Sequence, residues 1–495
     1  MNPQRVCASY ASDKMNSEHP QNLCRTTPVR LGGILIALLL LAGLNANARD
    51  IVSFFTNNCA ACHGINLQGG TAPSLLTNAW TQGANDLSIA RAISEGNPTK
   101  GMPAWKEALT DADIRAMVVL LREKIAKAQS ETNIVAKPID GEIVASAEHK
   151  FQFQTVADKL DTPWSLAFLP DGRMLVTELP GRLRIVDHGQ LQTNAITGTP
   201  KVRAQGQGGL MDVVVHPGYP TNGWIYLSYS EAAKLDGKEV GMTVVARGRL
   251  KDNQWVDEQT LFRAPPETYL PTAHHYGSRL VLDGKGYLYF TIGERGYMEM
   301  AQLVTKPNGK VHRIFEDGRI PADNPFVGQS NAIPSIWSYG HRNPQGLVQN
   351  PATGEIWETE HGPRGGDELN LIQRGANYGW PVITYGMDYN GTPISALTAK
   401  EGMEQPITHW TPSIAVCGMD FYFGKAFPRW NGNLFVTALA QQELRRLVLN
   451  GHRVVSQEVL FKNIGRVRDV CSGPDGLLYV ALNGPNKIIR LEPVK

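Results

Sequence analysis

Apolar and polar positions follow two different rhythms along this chain. Between residues 50 and 129 the apolar residues recur at helical spacing. Ile51, Val52 and Phe55 make one short face, and Ile114, Met117, Val118, Leu121 and Ile125 make a longer stripe, the recurrence of an amphipathic helix. Thr110 and Asp113 stand before that stripe as an N-capping pair. Beyond residue 147 the period shortens. Six segments share one plan, an apolar strand, a turn of Gly, Pro, Asp or Asn, and a second strand of alternating apolar residues. They are LAFLPDGRMLVTE, VVVHPGYPTNGWIYLSY, LVLDGKGYLYFTIG, LVQNPATGEIWETE, YFGKAFPRWNGNLFVTAL and VCSGPDGLLYVAL. A strand–turn–strand unit cannot bury both faces alone, and radial stacking around a channel solves that problem. The pattern therefore predicts an all-β six-bladed β-propeller preceded by a small all-α domain. A β-sandwich with long loops is the alternative.

Length and composition narrow this picture. A chain of 495 residues suggests two or three domains. The boundaries read as an N-terminal extension and export signal over 1–48, a helical domain over 49–129, a polar linker over 130–147 and the propeller over 148–495. With 49 Gly and 31 Pro, turns must be frequent, as short strands require. A formal charge of +2 argues against a nucleic-acid partner. Arg25 and Arg30 precede an apolar run over 31–44, and Ala46, Asn47 and Ala48 offer a small-residue cleavage site. The run is short of the ~20 residues a membrane span needs. It predicts export to the periplasm, with a retained membrane anchor as the alternative. The stretch before it is long for a signal, so Met15 is a candidate start.

The cysteines sort by position. Cys7 and Cys24 fall before the cleavage site. Cys59 and Cys62 bracket two alanines and His63 follows at once, the spacing of covalent c-type haem attachment with His63 as an axial iron ligand. A zinc or redox pair is the alternative, but no further Cys or His stands nearby to complete a zinc site. A thioether is the expected sixth ligand, and Met102, followed by Pro103, is the candidate; Met117 is the rival, already explained by the helix stripe. This region resembles a class I cytochrome c. Cys417 and Cys471 remain, either a disulfide or two buried thiols.

Function in a propeller concentrates in the loops at the mouth of its channel. The long loops here carry His274 and His275; His341, Arg342 and Asn343; the Gly-rich acidic stretch ETEHGPRGGDELNLIQRGANYGWP; and Arg466 and Arg468, whose alternate strand positions put both on one face. GQGGLMDVVVHP, GSRLVLDGKGYLYFTIGERG, GHRNPQGL, EHGPRGGDELNLIQRGANYGWP and RVRDV occur in that order. Through these motifs the chain, from about residue 160 to 493, resembles the soluble PQQ-dependent glucose, aldose-sugar and sorbosone dehydrogenases.

That resemblance implies a six-bladed propeller with PQQ and calcium. It assigns Arg342, Arg466 and Arg468 to the three PQQ carboxylates, which guanidinium forks suit, and Gln207 and Asn343 to the quinone end. It gives the carbonyls of Gly362 and Pro363 to the calcium that holds PQQ, and Glu368 and Tyr378 to a second, structural calcium. His275 stands where the family places its general base, Glu294 where an acidic residue orients that base, and Arg342 where the quinone is polarised. Three positions depart from the glucose-type members, which have Asp at His274, Gln at His361 and Lys at Ala440. Gln441 or Arg445 is the candidate replacement for that lysine. The implied function is oxidation of an aldose at its anomeric carbon, hydride passing to PQQ and electrons to the haem, then to a cytochrome or respiratory acceptor. The alternatives are a quinoprotein for another alcohol or a sorbosone-like substrate, and a haem-bearing propeller that binds carbohydrate without catalysis.

Overall fold

The structure, a computed structural model, describes residues 49–76, 83, 85–132 and 140–494. The segment read as an export signal, with Cys7, Cys24, Met15 and the 31–44 run, lies outside the described residues. No described helix is long and apolar enough to cross a membrane.

Six antiparallel sheets form the propeller. Blade 1 comprises Pro163–Phe168, Met174–Glu178, Arg182–Asp187 and Gln190–Leu191. Blade 2 comprises Leu210–Val215, Ile225–Leu235, Lys238–Lys251 and Gln254–Phe262, and blade 3 Leu280–Leu282, Tyr287–Ile292, Lys310–Phe315 and Ile336–Tyr339. Blade 4 comprises Pro344–Gln349, Ile356–Glu360, Asp367–Leu371 and Thr408–Trp410, and blade 5 Val416–Phe421, Leu434–Ala438, Glu443–Asn450 and Arg453–Lys462. In blade 6 the last three strands of the chain, Arg466–Ser472, Leu478–Asn483 and Lys487–Pro493, are completed by Lys150–Ala157 and Ile143–Ala145 from the front of the domain. The two ends of the domain thus share one sheet, which closes the circle. Five of the six repeated segments lie across the first two strands of one blade, and the blade 5 segment, from Tyr422, begins just after the first strand ends and runs through the second.

The first strands of successive blades touch in a closed ring. Apolar residues fill the gaps between neighbouring blades in separate clusters, such as Leu183, Leu210 and Val244 between blades 1 and 2, or Trp357, Val416 and Val436 between blades 4 and 5. The alternation that suggested half-buried strands reflects these gaps, since each blade packs on both faces.

Polar side chains then stitch the ring. The second strand of each blade donates a hydrogen bond to a main-chain carbonyl beside the next blade's first strand or within it. Thr177 reaches Met211 O, Ser228 reaches Ser278 O, Thr291 reaches Pro344 O, Thr359 reaches Cys417 O, Thr437 reaches Gly418 O in its own blade and Arg468 O in the next, and Asn483 reaches Pro163 O. Those carbonyls are free to accept because the first strands are irregular. A register shift interrupts pairing at Trp164, at Met211 and Asp212, at Gln345, at Cys417 and Gly418, and at Arg468. Such bulges re-aim side chains.

The helical domain has α1 (Ile51–Asn58), α2 (Ala60–His63), α3 (Asp86–Glu95) and α4 (Asp111–Thr132). Asp50 caps α1 by accepting from the N–H groups of Val52 and Ser53. Thr110 and Asp113 exchange hydrogen bonds, N–H of Thr110 to the carboxylate at 3.0 Å and N–H of Asp113 to the hydroxyl at 3.2 Å, a reciprocal cap for α4. That helix is buried on more than its stripe. Ala116, Val119 and Leu120 are also inside, and Met387 of the propeller is wholly buried in the same cluster. Helix α4 runs to Thr132, and Ile143–Ala145 already belongs to blade 6. The connection between the domains is therefore shorter than the polar stretch 130–147 suggested, because sheet pairing and helix propagation claim both of its ends.

Candidate active site

The bulged residues of the inner strands converge at the channel. Arg279, on the strand entry of blade 3, is nearly buried and reaches Asp469 at 2.9 Å and Asp212 at 3.4 Å. Burial works against its charge, and the two carboxylates more than offset that and raise its pKa. The same carboxylates tie blades together. Asp212 accepts from Leu280 N–H at 2.7 Å and from the Ser165 hydroxyl at 2.6 Å, and Asp469 accepts from Leu166 N–H at 3.2 Å. The Trp164 ring lies under Arg279 at 4.3 Å and faces Arg468 at 5.7 Å. Arg468 donates to Gln345 Oε1 at 3.1 Å and to Cys417 Sγ at 3.3 Å. This is a rigid polar floor.

Arg468 occupies the bulge of its strand, so simple alternation does not describe its relation to Arg466. The two remain electrostatic neighbours, since burial and then the Arg468 charge lower the Arg466 pKa. Among the described residues neither meets a carboxylate in an ion pair, nor does Arg342. Arg342 donates instead to the carbonyls of His361 at 3.1 Å and Gly362 at 2.9 Å. Its Nε, the side-chain nitrogen of Asn343 and Nε2 of His361 are buried without a partner. Three cationic side chains and three orphaned polar atoms suit a planar tricarboxylate, because buried polar groups otherwise cost free energy.

His275 stands over this floor. Its backbone is left-handed, with φ at 55°, a conformation in which His is among the more tolerated residues. Its N–H donates to Gln207 Oε1 at 2.8 Å, which fixes that conformation. Its Nδ1 lies 2.8 Å from Glu294 Oε1. Glu294 is buried, and its main-chain N–H donates to Arg342 O at 2.9 Å. Burial and the Arg342 charge push the His275 imidazole down to about 4, against the opposing pull of Glu294. Burial raises the Glu294 pKa, but bonding to His275 and the charges of His275 and Arg342 leave it below the usual carboxylate range. The pair is thus a neutral imidazole on a carboxylate, and the tautomer that donates Nδ1–H to Glu294 leaves Nε2 as the unprotonated ring nitrogen.

The Gly-rich stretch is explained by contact. A Cβ on Gly362 would stand 2.2 Å from Gly365 O, and one on Gly366 would stand 2.8 Å from Gly386 N. Only bare backbone can double back so tightly. The Gly362 carbonyl accepts from Arg342, and its N–H donates to Asp367 at 2.9 Å. A narrow cavity opens between Arg342, His361, Gly362, Glu368 and Trp380.

Behind it, Glu358, Glu360 and Glu368 surround the amide of Asn370, which donates to all three at 3.1–3.3 Å. Glu358 Oε1 and Asn370 Oδ1 are buried without a partner. Burial and then the Glu360 charge raise the pKa of both Glu358 and Glu368. Hard oxygens with unmet bonding capacity fit a calcium-type cation. The Tyr378 hydroxyl is committed, donating to Leu371 O at 2.5 Å and accepting from Gln373 N–H at 2.9 Å. Only its main-chain carbonyl could serve a cation. His341 is structural: fully buried, it meets Glu360 at 3.2 Å and Ser338 at 2.9 Å and stacks on Tyr378.

The departures sit close to the chemistry. The His274 ring lies edge-on to His275 at 4.7 Å. His361 is kept neutral by burial and by the charges of Arg342 and Arg468. Near Ala440, Arg445 is not a free cation, because Glu443 holds its guanidinium. Gln441 accepts from Lys462 at 2.7 Å, and that ammonium is likewise paired with Glu443, at 3.4 Å. Cys417 and Cys471 are both free thiols.

In the helical domain Cys59 and Cys62 are likewise free, and burial and then Cys62 push the Cys59 thiol up to about 11. His63 is kept neutral by burial, and its Nδ1 is buried without a partner. A free thiol pair beside a neutral imidazole fits a c-type haem. Met102 is half-buried in a loop where it pairs with Asn97, whereas Met117 is packed in the core.

The comparisons with known proteins agree with this geometry. The family description Glucose / Sorbosone dehydrogenase matches residues 160–490. The chain belongs to the glucose/sorbosone dehydrogenase family. A second description, Cytochrome C oxidase, cbb3-type, subunit III, matches residues 46–121, so this family member carries an N-terminal cytochrome c domain. The aldose sugar dehydrogenase YliI of Escherichia coli (strain K12) is 44% identical over 347 residues, covering 69% of this chain and 92% of YliI. The crystal structure of the soluble aldose sugar dehydrogenase from Escherichia coli in the apo form superposes with a TM-score of 0.65 at 42% identity, over 70% of this chain and 100% of that one. The PQQ-bound aldose sugar dehydrogenase from Streptomyces coelicolor superposes with a TM-score of 0.57 at 26% identity, over 72% of this chain and 100% of that one.

Sequence reasoning passed over Trp164, Arg279 and Gln345 in this glucose/sorbosone dehydrogenase, and read Cys417 only as a disulfide partner or buried thiol, not as an acceptor for Arg468. Gln345 and Arg279 stood inside quoted motifs, GHRNPQGL and GSRLVLD. Gln345 owes its inward aim to a strand irregularity that no residue pattern announced.

Proposed function

We propose that this protein is an exported quinohaemoprotein that oxidises aldose sugars at the anomeric carbon to lactones, with PQQ as hydride acceptor and the c-type haem as electron exit. The observation that carries this reading is the His275–Glu294 pair, a half-buried neutral imidazole held at Nδ1 by a buried carboxylate. Its Nε2 accepts the proton of the anomeric hydroxyl as hydride leaves the carbon. PQQ, when bound, supplies a two-electron quinone. Arg342, Arg466 and Arg468 hold its carboxylates, and Gln207 and Asn343 contact its quinone end. Gly362 and Pro363 offer carbonyls to one calcium, while Glu368, with the Tyr378 carbonyl, serves a second. His63 and Met102 hold the haem iron, bound through Cys59 and Cys62.

Export, expected from the apolar run over 31–44, belongs to the same reading, because a periplasmic site would meet sugar and an external one-electron acceptor together. The test is reconstitution of the purified haem-loaded protein with PQQ and calcium, followed by a panel of aldoses, sorbosone-like aldehydes and simple alcohols while haem absorbance is recorded. Haem reduction by aldoses supports the reading. Reduction by alcohols alone moves the substrate class, and sugar binding without reduction of either dye or haem sinks the enzymatic function.

A further inference from the structure

Two pieces of chain meet where the helical domain touches blade 4. One is the site loop, residues 361–366. The other is the segment 385–391. Arg364 and Met387 exchange both main-chain hydrogen bonds at 3.0 Å, so the two run side by side. Gly386 lies so near the loop that a Cβ there would stand 2.4 Å from Gly365 O.

Segment 385–391 has contacts in both directions. Toward the site, the Tyr389 ring faces the Arg342 guanidinium at 5.9 Å. Toward the helices, Met387 is wholly buried in the cluster of Ile51, Phe55, Met117 and Leu121. The Tyr385 carbonyl accepts from Arg115 at 3.2 Å, and the Gly391 carbonyl accepts from Ile51 N–H at 3.1 Å. At Gly391, φ is +86° and a Cβ would stand 3.0 Å from Asp50 Oδ1, so glycine alone allows that approach. Arg364 then clamps α4 with a two-pronged pair to Glu123, Nε to Oε1 at 3.2 Å and Nη2 to Oε2 at 2.6 Å. A bidentate pair, a buried methionine and directional main-chain bonds define one orientation. A tether alone would only raise the local concentration of the haem domain.

We propose that segment 385–391, laddered to the site loop at Arg364 and clamped to α4 through Glu123, fixes the haem domain in place and forms the route by which electrons leave the site for the haem. This rests on the reading of the chain as a haem-coupled sugar dehydrogenase. Oxidation of the sugar to its lactone releases two electrons and two protons, taken up as a hydride by the quinone and a proton by the base. On reoxidation the two electrons leave in succession to the haem iron. It passes each to a one-electron oxidant such as ferricyanide, and both protons go to water.

Glu123→Arg in the full-length, PQQ- and calcium-loaded protein tests this, because it sets like charges face to face. Three quantities are read: hydrogen–deuterium exchange in peptides covering α1 and segment 385–391, the stopped-flow rate of haem reduction by sugar, and dye-linked turnover. Exchange should rise in both peptides, haem reduction should slow at least tenfold, and dye-linked turnover should stay within twofold. Combining Glu123→Arg with Arg364→Glu should restore protection and haem reduction. Unchanged exchange in Glu123→Arg would remove the clamp, and raised exchange with unchanged haem reduction would remove the route. An equal loss of dye-linked turnover would place Glu123's effect on the site rather than on the exit, against the proposal. A wild-type protein that turns over with dye while sugar never reduces its haem overturns the functional reading and with it the electron role. The exchange comparison would still decide whether the clamp exists.

Discussion

At the scale of single residues, the site turns on how burial sets the charge of one imidazole. Burial and Arg342 hold His275 near 4, and Glu294 is the group that pulls it upward. His275 is therefore unprotonated across the neutral range, and its loss as a base should appear only as pH falls through about 4. Replacing Glu294 with Gln removes the upward pull, so the acid limb of kcat/KM should move to still lower pH. Turnover should fall as well, because Nδ1 loses the partner that fixes its tautomer. His275→Ala should cost on the order of 10²–10⁴-fold in dye-linked turnover. An acid limb that stays in place in Glu294→Gln would mean that another group is the base, with His274 the first to examine.

At the scale of elements, the propeller depends on one repeated hydrogen bond. Thr359 donates to Cys417 O at 2.8 Å across the gap between blades 4 and 5. Thr359→Val would keep the shape and leave a buried carbonyl unpaired, at a cost of about 1–3 kcal/mol. The melting temperature should drop, whether or not calcium is present. Glu368→Gln should act differently, abolishing most of the rise in melting temperature that added calcium gives the wild type, since ligand stabilisation scales with site occupancy. Equal calcium shifts in both variants would remove Glu368 from a cation site. Much of this scale was legible in advance, because VTE, FTI, ETE and VTA recur near the end of four of the six repeats and alternation survives in the second strands. The first strands were less legible. Their bulges put Trp164, Gln345, Cys417 and Arg468 at the channel, and a bulge is set by contacts with the neighbouring blade, not by local residue preference. The extra burial of α4 escaped for a similar reason, since Met387 lies 270 or so positions away along the chain, the same long separation as Arg115 and Tyr385.

At the scale of the whole molecule, the proposed function puts two chemistries with different reach on one chain. Hydride transfer requires contact between sugar and quinone, so it depends on the His275 pair and the arginine floor alone. Reoxidation by the haem needs only that electrons arrive, so the helical domain can be disabled without touching the first step. Replacing both Cys59 and Cys62 with Ala should abolish covalent haem and its absorbance while a dye acceptor still sustains sugar oxidation. His275→Ala should do the reverse, keeping the haem spectrum and PQQ binding but losing reduction of haem and dye alike. PQQ binding should survive because the guanidinium groups of Arg342 and Arg468 bond to other groups than the imidazole, whereas Arg468→Ala should weaken it by a few kcal/mol, the cost of a desolvated charge left without its partner. The two phenotypes must separate if the haem is an exit and nothing more. If the double cysteine variant folds, binds PQQ and still fails with dye, then the helical domain also shapes the site. Segment 385–391, which joins Met387 in the helical core to Tyr389 beside Arg342, is where that influence would have to pass.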